Sequence, residues 1–135
     1  MTLSDATNTY TAYVGLKEVI SGVPANGIFF RYTNAVNGGR WQAVCRASGV
    51  ETAVDTGVSP GTTGAETLEI RGSSDGLTFT FFINDTLVAT ITTNLPAINV
   101  GFGAGINFLR SVGTAAVNAA AYDYMVLEQD SPSRT

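Results

Sequence analysis

The segment that most constrains the fold is residues 76–94, which read GLTFTFFINDTLVATITTN. Apolar residues take every second position on both sides of the dipeptide Asn84-Asp85, namely Leu77, Phe79, Phe81 and Ile83 before it and Leu87, Ala89 and Ile91 after it. Such alternation is typical of strands with one buried face, and Asn and Asp tolerate the positive φ angles of a tight turn. The segment is therefore predicted to be a β-hairpin whose alternating apolar residues all face one core.

Further strands are predicted on both sides of the hairpin, because short β-branched and aromatic runs alternate with turn residues. These strands are residues 9–16, 27–33, 40–47, 50–56, 66–72, 100–109 and 116–128, and residues 57–65 are predicted to cross between sheets. The alanine-rich run 115–121 could be argued as helix, but Tyr-Asp-Tyr-Met-Val directly after it favours a strand. The fold class is therefore expected to be all-β, as a two-sheet antiparallel β-sandwich. Residues 1–135 form one domain in this prediction, with an ordered core at about 9–128, a lead-in at 1–8 and a tail at 129–135.

Composition excludes several classes of function. The net charge is −4 and the seven Lys and Arg residues are scattered, so nucleic-acid binding is not expected. No apolar run approaches the ~20 residues of a membrane helix, and polar residues follow Met1, so neither membrane insertion nor a secretion signal is expected. Cys45 is the single cysteine and histidine is absent, which excludes a zinc site and predicts that Cys45 is a small buried strand residue.

Catalytic carboxylate pairs are not predicted either. Glu66 and Glu69 are three residues apart, so they lie on opposite faces of a strand. Glu51 and Asp55 share a face but stand about 13 Å apart at the usual strand rise, beyond the ~5–10 Å that a glycosidase pair needs. Without histidine a nucleophilic triad is also not expected. The sequence therefore predicts a non-enzymatic protein.

A ligand surface for a glycan is one interpretation of the polar and aromatic residues on neighbouring strands, because sugars stack on aromatic rings and bind polar side chains. The candidate residues are Arg31, Tyr32, Trp41, Gln42 and Arg46. Two alternatives stay open. Trp41 alternates with the small residues Ala43 and Cys45 and is favoured as a core residue, and Arg31, Arg46 and Asp123 are candidates for a partly buried ion pair.

Calcium is the one cofactor that the residues leave open, since it needs only oxygen ligands. Asp75 with Ser73 and Ser74, or Asp85 with Asn84, could contribute such oxygens. Turn residues that cap their own backbone are the favoured interpretation of both groups, so no cofactor is expected. Asn84-Asp85-Thr86 also matches a glycosylation sequon, and there too the turn interpretation is preferred.

The order of these segments resembles a known family. GIFFRY, then RWQAVCRASGVETAVDTGV, then ETLEIRGSSDGLTFTFFINDTLVATITTNLP and AAYDYMVLE are similar to the concanavalin A-like (lectin/glucanase, laminin-G-like) jelly roll, in the variant found in bacteriophage tail-fibre and appendage proteins. The resemblance covers roughly residues 10–128. Two departures are Gly64-Ala65, where members usually carry an aromatic residue, and the short stretch before Tyr10, where members usually have further strands.

The resemblance implies a jelly-roll fold and a structural or attachment role in a virion, as a tail or head appendage, decoration or fibre protein. It also implies a homo-oligomer, for which a trimer is plausible, or contact with other virion proteins. Because the strand neighbour usual before Tyr10 is missing, another chain or a longer polypeptide is expected to supply it. The alternative functions are a carbohydrate-binding module for a bacterial surface glycan and, less favoured, a bacterial adhesion domain.

Overall fold

A computed structural model describes residues 9–18, 22–33, 36–61, 66–97 and 100–112 of the chain. Regular structure in this part consists of eight strands and one short 3-10 turn at Asn37–Gly39. The strands are β1 Thr9–Lys17, β2 Gly27–Thr33, β3 Gln42–Ala47, β4 Val50–Asp55, β5 Leu68–Gly72, β6 Phe79–Ile83, β7 Thr86–Ile91 and β8 Gly103–Val112.

The strands form two antiparallel sheets. One has five strands in the order β4-β3-β2-β1-β8, and the other has three in the order β5-β6-β7. The prediction of an all-β protein with two antiparallel layers is therefore confirmed. The strand predicted at residues 116–128 lies outside the described residues. No helix in the described part of the chain is long and apolar enough to cross a membrane.

The main core lies between the two sheets and contains a cluster of aromatic rings. Phe30 on β2 meets Phe81 on β6 edge to face, with 5.2 Å between ring centroids, and so joins one sheet to the other. Trp41, directly before β3, contacts both Phe30 and Tyr32. The buried members of this core are Tyr10, Ala12, Ile28, Phe30, Tyr32, Trp41, Ala43, Cys45, Phe81, Ile83, Ala89 and Ile91.

The predicted hairpin is present as β6 and β7. Asn84 and Asp85 connect the strands with φ angles of 48° and 63°, which is the backbone that a two-residue hairpin turn requires. The prediction that Leu77 and Leu87 share the core face is wrong. Leu77 precedes β6 and is 63% exposed, and Leu87 is 54% exposed.

The error at Leu87 has a definite cause in the strand register. Phe81 pairs with Ala89, but Phe82 pairs with Leu87, so Val88 is an extra residue on β7. This β-bulge changes the parity of the strand. Val88 packs against the core, and Leu87 lies opposite Phe82 on the outer face of the three-stranded sheet.

The five-stranded sheet also buries apolar side chains on its outer face. Tyr13, Phe29 and Val44 form a second cluster there, with Tyr13 and Phe29 edge to face at 5.3 Å. Gly27 leaves room for the Phe29 ring, because a Cβ atom on Gly27 would lie 2.8 Å from Phe29 Cδ1. The polar residues of the candidate site lie on the same face of the sheet as this small apolar cluster.

Candidate functional site

Four polar side chains converge on the outer face of the five-stranded sheet, and we call them the outer polar cluster: Arg31, Gln42, Arg46 and Glu51. The register places Arg31 opposite Gln42 and Arg46 opposite Glu51, so β2, β3 and β4 each contribute. All four are partly buried, and the side chains of Arg31, Arg46 and Glu51 are 17%, 21% and 27% exposed.

Glu51 accepts hydrogen bonds from both arginines. Arg31 binds it through two nitrogens, Nη1 to Oε2 and Nη2 to Oε1, each at 2.9 Å, and Arg46 Nη1 reaches Oε2 at 2.8 Å. Arg31 also donates from Nε and Nη2 to Gln42 Oε1 at 3.1 and 3.0 Å. Four of the five N–H donors of Arg31 are therefore bound by side chains on β3 and β4, an arrangement that fixes strand positions.

The electrostatics of the cluster follow from its charges. Burial raises the pKa of the Glu51 carboxyl, but hydrogen bonds and charge from Arg31 and Arg46 outweigh burial and leave the pKa below its ordinary value. Burial raises the pKa of the hydroxyl of Tyr13, which lies opposite Arg31 on β1, although the two arginine charges act in the opposite direction. Glu51 is therefore an anion at neutral pH, held by two cations.

The five residues predicted to bind a glycan do not form one surface. Arg31, Gln42 and Arg46 lie in the outer polar cluster, whereas Tyr32 and Trp41 are buried in the core on the other side of the sheet. This separation corrects the predicted set, because a buried ring cannot stack on a sugar. The physical reason is the strand period of two, which sends adjacent residues such as Arg31 and Tyr32 to opposite faces.

Trp41 packs against core residues and forms hydrogen bonds through both its backbone and its indole ring. Its backbone N–H donates to Val58 O at 2.8 Å, and its carbonyl oxygen accepts from Thr56 N and Thr56 Oγ1. Its indole Nε1 donates to Glu66 Oε2 at 3.2 Å. The core interpretation of Trp41 is confirmed, since the ring is fully buried.

The carboxylates weighed as catalytic pairs each bind a different partner. Glu66 accepts from Trp41, while Glu69 binds Arg71, its neighbour on the same strand face, at 2.6 Å. Glu51 belongs to the outer polar cluster, and Asp55 binds Arg40 at 2.6 Å. The two carboxylates of each pair that the spacing argument rejected thus bind different partners in these contacts.

Of the residues weighed as calcium ligands, Asp75 and Ser73 bind within their own turn. Asp75 Oδ1 accepts from Ser73 Oγ and from Leu77 N, and Ser73 Oγ accepts from Thr78 N. Asn84 Oδ1 accepts from Thr67 N at 3.0 Å. The described residues contain no group of three or more metal-ligating side chains. The contacts of Asp75 match the interpretation that it caps its own turn, whereas Asn84 binds the backbone just before β5.

Sequence reasoning missed Glu51 as the partner of both arginines and named Asp123, which lies outside the described residues. A signal for Glu51 was present. The two-residue turn Ser48-Gly49, with φ angles of 49° and 83°, makes β3 and β4 a tight hairpin. Counting back from that turn places Arg46 directly opposite Glu51, where opposite charges stabilise a strand pair.

Cys45 is the remaining nucleophilic group that the sequence singled out. It faces the core, is fully buried, and has a free thiol. Burial raises the pKa of the thiol to about 12. It is therefore protonated at neutral pH, as expected of a structural cysteine.

Comparison with family models, with curated proteins and with solved structures finds no match to this chain.

Proposed function

We propose that this chain is a non-enzymatic structural and attachment module of a bacteriophage virion, as part of a tail or head appendage, a decoration protein or a fibre. One observation carries the non-enzymatic half of the proposal. In the described part of the chain, charged side chains that could supply chemistry instead form the ion pairs Arg31–Glu51, Arg46–Glu51, Arg40–Asp55 and Glu69–Arg71.

The outer polar cluster is the clearest case. Its one carboxylate is held by two guanidinium groups, and the bidentate contact with Arg31 runs from β2 to β4 across β3. A general acid or base needs a carboxyl whose pKa lies near neutrality, whereas the pKa of Glu51 is shifted the other way. The cluster therefore favours a role in holding three strands in register.

A second polar contact joins the two sheets. Thr52 on β4 and Thr93, just after β7, share a hydrogen bond of 2.6 Å between their hydroxyls, and Asn94 Nδ2 donates to Thr52 Oγ1 at 3.0 Å. Together with the Phe30–Phe81 contact in the core, these hydrogen bonds hold the two sheets in a fixed position relative to each other. A rigid two-layer unit suits a part that must carry other domains or contact a surface.

The virion and the jelly-roll connection of the strands rest on the resemblance of the sequence segments to phage appendage domains. Immunogold labelling of particles released by the source strain, with antibody raised against the purified chain, tests the virion assignment. Label on tails, fibres or heads supports it. Unlabelled particles together with antigen confined to the cell fraction would contradict it. Antibody absorbed with the purified chain is the control for each grid.

Glycan binding is the second candidate, and one observation favours it. Arg31, Gln42 and Arg46 lie together on the outer face and keep part of their surface open to solvent. A bacterial glycan array probed with the chain tests this candidate. Binding that Gln42→Ala removes while the fold is kept supports it, and Thr80→Ala on the outer face of the other sheet is the control. An array without signal leaves the structural role as the function.

A further inference from the structure

We infer that two copies of this chain pair through β5, antiparallel and about a two-fold axis at Ile70, so that the three-stranded sheets of both copies form one continuous sheet. The inference rests on the proposed function in one respect, since it names the partner through which the module assembles.

Within the described residues, β5 pairs on one side only, with β6. The ladder shows which backbone groups are used. Two hydrogen bonds lie just beyond the two ends of β5: Asn84 N donates to Thr67 O, and Ser73 N donates to Thr78 O, each at 2.9 Å. Hydrogen-bonded and non-hydrogen-bonded pairs alternate along an antiparallel ladder, so Glu69 and Arg71 also bond to β6.

The even residues of β5 therefore direct their N–H and C=O groups to the open edge. These residues are Leu68, Ile70 and Gly72. A two-fold axis at Ile70 places Ile70 opposite its own copy and Leu68 opposite Gly72. All three then meet as hydrogen-bonded pairs, so every outward backbone group of the strand has a partner.

The charges agree with the same register. Glu69 and Arg71 lie on the outer face of the sheet, because they pair with Phe82 and Thr80, whereas Leu68 and Ile70 pack against the core. About the axis at Ile70, Glu69 of each copy lies opposite Arg71 of the other. These are non-hydrogen-bonded pairs, in which Cα atoms stand about 4.5 Å apart and opposite charges attract. The strand is therefore complementary to itself in charge.

The edge of β5 lacks three features that keep edges from pairing, namely a bulge, a proline and a lysine. Its register with β6 has no irregularity, whereas β7, at the other end of the sheet, carries a bulge in its pairing with β6. Residues 68–72 include no proline and no lysine. The side chains of Glu69 and Arg71 are 37% and 59% exposed, so both are accessible to a second copy.

Sedimentation velocity of the whole chain, from low micromolar to near-millimolar concentration, tests the inference. We expect the wild-type coefficient to rise with concentration towards that of a dimer. A trimer, which the resemblance implies, or a monomer at every concentration would overturn the inference. Neither result would bear on the immunogold test, because a virion module can assemble through other surfaces.

Reversing the charges on β5 tests whether this strand forms the dimer contact. Glu69→Arg and Arg71→Glu each place like charges opposite one another, and each variant alone is expected to stay monomeric. An equimolar mixture of the two, and the double variant Glu69→Arg/Arg71→Glu, restore opposite charges and are expected to associate again. If the two residues matter only to each other within one chain, the mixture behaves as its components do, and the inference fails.

Hydrogen exchange of the wild-type chain tests the same inference without any substitution. The amides of Leu68, Ile70 and Gly72 in the wild-type chain are expected to exchange more slowly as concentration rises, while the amide of Leu87 serves as the control on the bulged strand. If the amides of Leu68, Ile70 and Gly72 are protected equally at all concentrations, the chain itself covers this edge and the inference is wrong.

Discussion

Arg31 and Glu51 form a bidentate pair across an intervening strand, with both nitrogen–oxygen distances at 2.9 Å. Arg31 is on β2 and Glu51 on β4, so the contact passes over β3 at Val44, which is fully buried. The pair thus covers an apolar residue on the outside of the sheet and ties three strands together. The stability of this sandwich therefore depends on the outer Arg31–Glu51 pair as well as on its hydrophobic core.

Removing the shared carboxylate is expected to destabilise the protein. Glu51→Gln leaves two partly buried guanidinium groups without their anion, and we expect the free energy of unfolding to fall by about 1–2 kcal/mol. Chemical denaturation measures this. Glu69→Gln, the same substitution in the exposed pair with Arg71, is the control and is expected to cost less. Equal losses in the two variants would contradict the special role of Glu51.

Stability is expected to fall in acid. The pKa of Glu51 is lower in the folded chain than its ordinary value of about 4.5, so its contribution is complete above that value and is lost as the pH falls through the lower, folded pKa. Carboxyls with lowered pKa values also include Asp55, Glu69 and Asp75. Thermal unfolding at a series of pH values checks this, and Glu51→Gln is expected to flatten the profile. A wild-type profile that rises on acidification would be the opposite of this result.

Cys45 is expected to be unreactive in the native protein. Its thiol is fully buried and its pKa is about 12, so a reagent cannot reach the sulfur and almost no reactive thiolate is present at neutral pH. A chromogenic disulfide reagent at neutral pH should label native protein only as fast as the chain opens, and should label one thiol at once in denaturant. Fast stoichiometric labelling of native protein would show that the site is open.

Truncating Trp41 is expected to cost more than any change on the outer face. Trp41→Ala removes the ring that contacts Phe30 and Tyr32 and is expected to lower the free energy of unfolding by about 3–5 kcal/mol. Trp41→Phe keeps an aromatic ring but loses the bond to Glu66, so a smaller loss is expected. Calorimetry compares the two. A fluorescence spectrum typical of an exposed indole in the wild type would contradict the burial.

The strands were predictable where local patterns are strong. Residues 27–33 were predicted as a strand with the bounds that the structure has, because alternating aromatic residues are flanked by turn residues. The hairpin turn at Asn84-Asp85 was predictable for the same reason. The exposure of Leu87 was not, because an inserted residue such as Val88 changes no composition and appears only when two strands are paired.

The candidate site was predicted in part. Arg31, Gln42 and Arg46 were chosen correctly as neighbours, since Arg31 lies on β2 and the other two lie on the adjacent β3. Their shared partner was not found, because it depends on register across the β3–β4 turn and not on spacing along one strand. Tyr32 and Trp41 were grouped with them by proximity in sequence, although strand parity sends those two rings into the core.

The central claim is that these polar side chains hold strands in register instead of acting on a ligand. A double-mutant cycle of Arg31→Gln and Glu51→Gln, followed by chemical denaturation, tests it most directly. We predict that the double variant loses less stability than the sum of the single losses, with a coupling energy of about 1 kcal/mol. Losses that add within about 0.3 kcal/mol would mean that the two residues do not stabilise each other, and would contradict the claim.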